Sequence, residues 1–254
     1  MDIKAYADRV DKLNRQLRRL SFSEPVTHVY NPLDYAKSLH IAYCKLAGQS
    51  RPDVFMLGMN PGPWGMAQTG VPFGEVNFVR DWMKLSEAVG KPRNEHPKRP
   101  VEGVDCTRSE VSGARLWGWA SERYQTPRRF FNQFFISNYC PLSFMEAGGR
   151  NVTPDKLPTS ERKSLFRVCD EMLQWMVEAI QATWLIGVGG FAEKRLAEIF
   201  GGDDRYKIGR ILHPSPASPA ANRDWAGSVD RQFADIGIAI PAAKKPITKK
   251  RRAS

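Results

Sequence analysis

The sequence predicts an α/β fold in which a parallel sheet is covered by helices on both faces, a three-layer sandwich. Two observations carry this expectation. Short apolar runs at residues 54–57, 134–140 and 183–188 are rich in β-forming residues and lack the alternation of a half-exposed sheet, as strands buried on both faces do. Amphipathic helical patterns separate these runs, so consecutive strands can return to the same direction through helical crossovers. Each run also stops at a loop carrying Asn or Gly, and ligands of such sheets bind outside the carboxyl ends of the strands.

Taken in order, Val10, Leu13, Leu17 and Leu20 recur at helical spacing among Arg and Lys. They predict an amphipathic helix whose basic face is either solvated or turned to a polyanion. Asn31-Pro32-Leu33-Asp34 supplies an N-cap, a proline at the first helical position and an acid in the first turn, opening a helix that Gly48 can close. Strand 54–57 then breaks into a glycine- and proline-rich loop with Asn60 at its centre. Residues 77–89 read as a helix with Phe78, Trp82 and Leu85 on one side, and residues 90–109 as a polar surface connection. His96 in that connection has no second ligand at metal spacing. Residues 112–121 form an aromatic helical turn, strand 134–140 contains Asn138, and Thr153-Pro154-Asp155 opens another helix after a glycine-led turn. That turn, with Arg150, is either a phosphate site or a plain helix cap. A long helix at 165–182, strand 183–188, the turn Gly189-Gly190, a helix at 191–200 and the apolar pair Ile211-Leu212 before His213 complete the pattern. The GVGG of this turn lacks the spacing of a dinucleotide fingerprint.

The 254 residues suffice for one large domain, expected at 1–241, and the basic stretch 242–254 is too poor in apolar residues to fold. A net charge of +11 favours a polyanionic partner. Cys44, Cys106, Cys140 and Cys169 lie far apart with no CxxC pair, which disfavours zinc and iron–sulfur sites and reads as reduced thiols inside a cell. No run of eighteen apolar residues suggests a membrane span.

The polar residues Asn60, Asn138 and His213 thus fall at equivalent topological places. Each alone is as readily a capping Asn or a structural His, and their recurrence at one sheet edge favours a site. The segments GMNPGPWGMAQTGVPFGE (58–75), NYCPL (138–142), GRNVTPDKLP (149–158) and HPSP (213–216), in this order and spacing, resemble the motifs of the single-strand-selective monofunctional uracil-DNA glycosylases. The resemblance spans roughly residues 25 to 240. It implies a central four-stranded parallel sheet and an enzyme that flips uracil out of DNA and hydrolyses its N-glycosidic bond, leaving the strand intact. It implies neither cofactor nor metal, and a monomer acting on single- and double-stranded DNA in the cytoplasm or nucleus.

Carried over position by position, the resemblance makes Asn60 and His213 catalytic. Asn60 would orient the attacking water, since an amide cannot take a proton at neutral pH, and His213 would support charge developing on uracil O2. Phe73 would stack on the base, Asn138 would bind its Watson–Crick edge and amides near Met59 would add hydrogen bonds. Gly62, where stricter relatives carry a bulky aromatic, would leave room for a 5-hydroxymethyl group. Gly149, Arg150, Asn151 and Thr153, with Pro214, Ser215, Pro216 and Ala217, would face DNA. No motif lysine is expected to act as a Schiff-base nucleophile. Two departures stand out: Trp64 in place of Phe, and Ala217-Ser218 in place of the Arg-Asn that wedges into the duplex. The rival readings are a superfamily glycosylase for hypoxanthine or xanthine and an inactive DNA-binding module.

Overall fold

The computed structural model describes residues 1–244, and most of the expected basic tail lies outside the described residues. Helix α1 (Ile3–Leu17) is capped by the Asp2 carboxylate, which accepts from Lys4 N at 2.8 Å, and buries Tyr6, Val10, Leu13 and Leu17. Leu20 falls beyond its end. Strand β1 (His28–Tyr30) follows, and Asn31 caps α2 (Pro32–Tyr35) by accepting from Leu33 N at 3.2 Å. The helix expected to run on to Gly48 breaks at Ala36 (φ −109°, ψ 24°), and α3 (Lys37–Ala47) starts anew. Ala36 has no helix-breaking chemistry; it is fully buried, and its carbonyl lies where a Cβ on Gly70 would come within 3.0 Å, so packing sets the break.

Strand β2 (Val54–Gly58) is buried throughout, and the loop beyond it contains the single-turn α4 (Met66–Thr69), closed by Gly70 at φ 72°. The helix expected over 77–89 is instead one wide turn, Phe78–Trp82, in which Met83 N reaches back to Phe78 O (2.9 Å). Lys84 at φ 60° then ends it, and Leu85 is buried in the core. After the long connection come α5 (Val111–Tyr124), α6 (Pro127–Phe131), β3 (Phe134–Asn138), β4 (Ser143–Met145) and β5 (Asn151–Val152). Thr153-Pro154-Asp155 yields a single turn, because Pro158 forces Leu157 into an extended conformation (ψ 152°). The long helix α7 (Thr159–Ile180) begins only after that proline. Strand β6 (Trp184–Val188), α8 (Gly190–Phe200), β7 (Lys207–Ile211) and α9 (Pro219–Asp235, interrupted by extended Asp224) complete the chain.

The four longer strands form a parallel sheet in the order β3-β2-β6-β7, flanked by helices, as expected. A small antiparallel sheet, β1-β4-β5, was not legible in the sequence. On one side of the main sheet an aromatic stack fixes the helices: Trp119 lies 5.7 Å from Phe233 and Phe130 5.1 Å from Phe134, both near-parallel. Burying such a ring contributes roughly 1.5–3 kcal/mol, so α5, α6 and α9 are held firmly to the sheet. The register pairs Gly58 with Asn138 and Val188 with Ile211, which brings the carboxyl ends of the strands level.

Candidate active site

At that level edge lies a cavity of ≈ 330 Å³ lined by Met59, Asn60, Gly62, Phe73, Asn138, Asn151, Thr153, His213 and Ser215, together with Pro61, Glu110 and Ser112. Another hollow of ≈ 360 Å³, between Leu17, Phe22, Tyr35 and Leu142, holds none of the polar strand-end residues. The chemistry therefore belongs to the smaller one.

Asn60 donates from Nδ2 to Leu142 O at 3.3 Å, which fixes the amide and leaves Oδ1 as an acceptor. Main-chain bonds from Tyr139 N to Gly58 O and from Cys140 N to Met59 O, both 2.9 Å, tie the first two motif loops together. Asn138 is buried; its Nδ2 meets Met66 Sδ at 3.1 Å, and its Oδ1 has no partner. An orphaned buried amide oxygen costs about 1–3 kcal/mol unless a ligand satisfies it.

Phe73 holds φ at 53°, a conformation that a bulky residue adopts only under constraint. The constraint is visible: its carbonyl accepts from Trp117 Nε1 at 3.0 Å and from Glu75 N at 2.7 Å. Gly113 of α5 packs so close that an added Cβ would lie 2.1 Å from the Phe73 oxygen. The ring faces His213, centroid to centroid 6.1 Å. His213 follows β7 and is wedged against Gly189, where a Cβ would meet its own at 3.1 Å. Burial holds the imidazole below its ordinary value of 6.5, so it stands neutral at pH 7.

Two functional positions escaped the sequence reading. In the sequence Gly58 is only the start of a motif, yet a Cβ there would lie 2.2 Å from Asn138 Oδ1 and 2.6 Å from Phe73 Cε2. Its missing side chain is what lets the amide and the ring meet. Glu110 was not singled out at all. Its carboxyl group takes the place a Gly62 side chain would have: a Cβ on Gly62 would lie 1.9 Å from Glu110 Oε1. The cavity beside Gly62 is therefore bounded by a carboxyl group as well as by the glycine. No local signal could have revealed this contact, since 48 positions separate the two residues in the chain.

The residues expected to face DNA divide into two groups. Asn151, Thr153 and Ser215 line the cavity itself. Arg150 projects outward with its side chain 82% exposed and only a 4.0 Å approach to Glu146. Gly149 (φ 83°) accepts from Arg99 Nε at 2.9 Å. The Pro214–Ala217 loop is braced from below by Arg115, whose Nη1 donates to Pro214 O and Ser215 O at 3.2 Å while Nη2 donates to Asn222 Oδ1 at 2.8 Å. Pro216 and Ala217 are exposed at its tip. The guanidinium groups of Arg108 and Arg99 lie 4.4 and 5.2 Å from the centroid of the Trp64 ring. A lysine does stand in the third motif, Lys156; its side chain is 74% exposed, pairs with Asp155 and is not among the cavity-lining residues. His96 is buried, with Nε2 3.1 Å from Ala147 O and Nδ1 accepting from Lys98 N at 3.0 Å.

Residues 47–233 match the family model of the uracil DNA glycosylase superfamily. The chain is 45% identical over 228 residues to the single-strand selective monofunctional uracil-DNA glycosylase of Rattus norvegicus, covering 89% of this chain and 82% of the relative. It is 45% identical over 231 residues to the Bos taurus protein of the same name, covering 89% and 84%. Among solved structures, SMUG2 of Pedobacter heparinus superposes with a TM-score of 0.66 at 19% identity, over 91% of this chain and 96% of that one, a likeness of fold. Motifs, sheet order and relatives agree, and the chain belongs to the single-strand-selective monofunctional family of the uracil-DNA glycosylase superfamily.

Proposed function

We propose that the protein is a DNA repair glycosylase that extrudes uracil from DNA, hydrolyses its N-glycosidic bond and leaves an abasic site without cutting the strand. The observation that carries this reading is the convergence of Asn60, Phe73, Asn138 and His213 on one cavity. Breaking the bond builds positive charge on the sugar and negative charge on the departing base, so fixed donors aimed at the base contribute more than a strong acid or base. Phe73 offers a ring face to the extruded base. The Asn138 amide, with one donor and one acceptor, complements the O4 and N3–H of uracil. Neutral His213 donates to O2 as charge gathers there. Asn60 Oδ1 holds the water that attacks the sugar carbon.

The relatives are named for selectivity toward single strands, and the same preference is proposed here on physical grounds. Extruding a base from a duplex costs a few kcal/mol of stacking and pairing, and exposed Ala217 has nothing to insert in its place. Double-stranded DNA is accordingly a weaker substrate and 5-hydroxymethyluracil a second one. The protein acts as a monomer, in the cellular compartment that holds its DNA. The set of four motif residues in one cavity weighs against an inactive binding module, and nothing favours a deaminated purine over uracil.

The test is base release, in single turnover, from oligonucleotides containing uracil, 5-hydroxymethyluracil, hypoxanthine or xanthine, as single and double strands. Uracil in single strands should be released fastest. Asn60→Ala should lower that rate about a hundredfold with DNA binding retained, because the amide acts mainly in the transition state. Release of hypoxanthine ahead of uracil, or an Asn60→Ala rate equal to the parent's, overturns the reading.

A further inference from the structure

We propose that Arg99 and Arg108, gathered on Trp64, hold a phosphate of the DNA strand next to the extruded nucleotide, which makes this cluster a strand-binding site beside the cavity. The inference rests on the functional reading above, in which the cavity receives a base from DNA.

The first observation is position. Each of the three segments that meet here continues directly into the cavity wall: Trp64 stands two residues from Gly62, Arg108 two residues from Glu110, and Gly149, whose carbonyl accepts from Arg99 Nε at 2.9 Å, two residues from Asn151. The cluster therefore borders the cavity.

The second is charge. The Arg108 and Arg99 guanidinium groups approach the same indole ring, yet among the described residues neither forms an ion pair, whereas Arg18, Arg123, Arg195 and Arg205 each meet a carboxylate. Two cations on one ring repel each other, and the ring's quadrupole offsets only part of that repulsion. Arg108 is exposed. Arg99 commits Nε to Gly149 and Nη1 to Lys98 O at 3.4 Å, which leaves Nη2 to meet a ligand.

The third is rigidity. The connection that carries Arg99 was expected to be a polar surface loop, and buried groups pin it. Tyr30 Oη donates to Arg99 O at 2.8 Å, Gln68 Nε2 donates to Pro100 O at 2.9 Å, and Glu102 N donates to Gln68 Oε1 at 2.7 Å. A guanidinium on a fixed backbone loses less freedom when it binds.

A phosphodiester suits this arrangement: it is an anion, it accepts from two guanidinium groups at once, and it recurs beside every nucleotide. The Pro214–Ala217 loop carries no cation, so a charged grip on the strand must come from elsewhere around the cavity.

The experiment measures affinity for single-stranded oligonucleotides with uracil on a 2′-fluoro nucleotide, whose electron-withdrawing substituent slows bond cleavage, between about 50 and 200 mM salt. The phosphates flanking that nucleotide are replaced, one at a time, by neutral methylphosphonate. The parent should lose about fivefold in affinity at one of these positions. Arg108→Ala should flatten the plot of log affinity against log salt by about 0.7, the share of one single-strand phosphate contact, and should no longer respond to the neutral group at that position. Arg99→Ala should act at the same phosphate; if it fails to fold, Arg108→Ala decides. The control is Arg128→Ala, which removes the same charge from an exposed arginine of α6, where β3 enters the sheet and away from the cavity. It should leave the salt slope within about 0.2 of the parent's and the methylphosphonate pattern unchanged.

A parent without a sensitive phosphate overturns the inference, as does an Arg108→Ala protein that keeps the parental pattern or matches Arg128→Ala. Release from ordinary uracil oligonucleotides separates this inference from the catalytic reading. If the phosphate coupling to Arg108 is found without uracil release, the inference stands and the catalytic reading falls; release without the coupling has the opposite meaning.

Discussion

Replacing Gly58 with alanine tests whether the site depends on one absent side chain. The added Cβ would lie 2.2 Å from Asn138 Oδ1 and 2.6 and 2.8 Å from two atoms of the Phe73 ring. Restoring ordinary contact distances requires these groups to retreat by roughly 1 Å. The backbone cannot yield, because Gly58 is in register with Asn138 inside the sheet and its carbonyl is held by Tyr139 N at 2.9 Å. The displacement must therefore fall on the amide and the ring. Overpacking of this kind costs about 1–3 kcal/mol of stability, which a folded domain of this size can absorb. A misplacement of about 1 Å at a reacting centre costs on the order of a hundredfold in rate. We expect Gly58→Ala to fold cooperatively, bind single-stranded DNA and release uracil about a hundredfold more slowly in single turnover. A folded variant working within threefold of the parental rate would refute the reasoning.

His213→Ala should lose ~2.7–4 kcal/mol of transition-state stabilisation, read as the single-turnover rate. Because burial holds the His213 imidazole below its ordinary 6.5, its neutral form predominates above pH 6.5, and the rate of Glu110→Gln, which removes the cavity's titrating carboxyl, should not rise between pH 7.5 and 6.5; a rise would make the imidazolium the active form. Ala217→Arg should speed release from duplexes, U·A above all, and leave single strands unchanged, since an inserted guanidinium recovers part of the extrusion cost; equal gains on all substrates would rule out a wedge. In Glu110→Gln, which removes the opposing contribution of a buried carboxyl held up to about 7, stability should fall as pH drops below 6.5 and level off near 4, with His40 contributing about 3 kcal/mol. The cause is His40, which burial holds down to about 4, so only the unfolded chain takes up its proton in that window. Chemical denaturation in steps of pH should show the slope, and His40→Gln should flatten it.

The strands and the polar residues at their ends were legible because their signals are local: continuous apolar runs, then glycine, proline and asparagine. Helix lengths were not. Ala36 and Lys84 interrupt patterns that read as continuous helices, the one through packing under Gly70 and the other where the chain turns to bury Leu85. Pro158 was in plain view, but its effect on Leu157 outweighs the helix-start signal only once the two are weighed together. Helix α6 and the small antiparallel sheet were missed because such short elements leave little periodicity, and α9 because its pattern is interrupted at Asp224. Within the site, the resemblance picked out Asn60, Phe73, Asn138 and His213, which line one cavity. The contacts among Gly58, Phe73 and Asn138, and between Gly62 and Glu110, join distant segments and appear only in three dimensions.

Helix α5 carries more of the site than its aromatic sequence suggests. Glu110 meets the edge of the cavity, Gly113 and Trp117 pin the strained Phe73 carbonyl, and Arg115 props the Pro214–Ala217 loop. Further along, Trp119 Nε1 and Arg123 Nε hold Asp230 of α9 at 2.8 and 2.7 Å. The stretch from Glu110 to Trp117 is about 10 Å long, so the cavity edge, the Phe73 ring and the Pro214–Ala217 loop are spaced by one rigid rod and not by three independent loops. Damage to the rod's far anchorage at Asp230 should then shift the stacking ring and the DNA-facing loop together, and an enzyme loosened there would lose its grip on the strand and its discrimination among bases in the same measure.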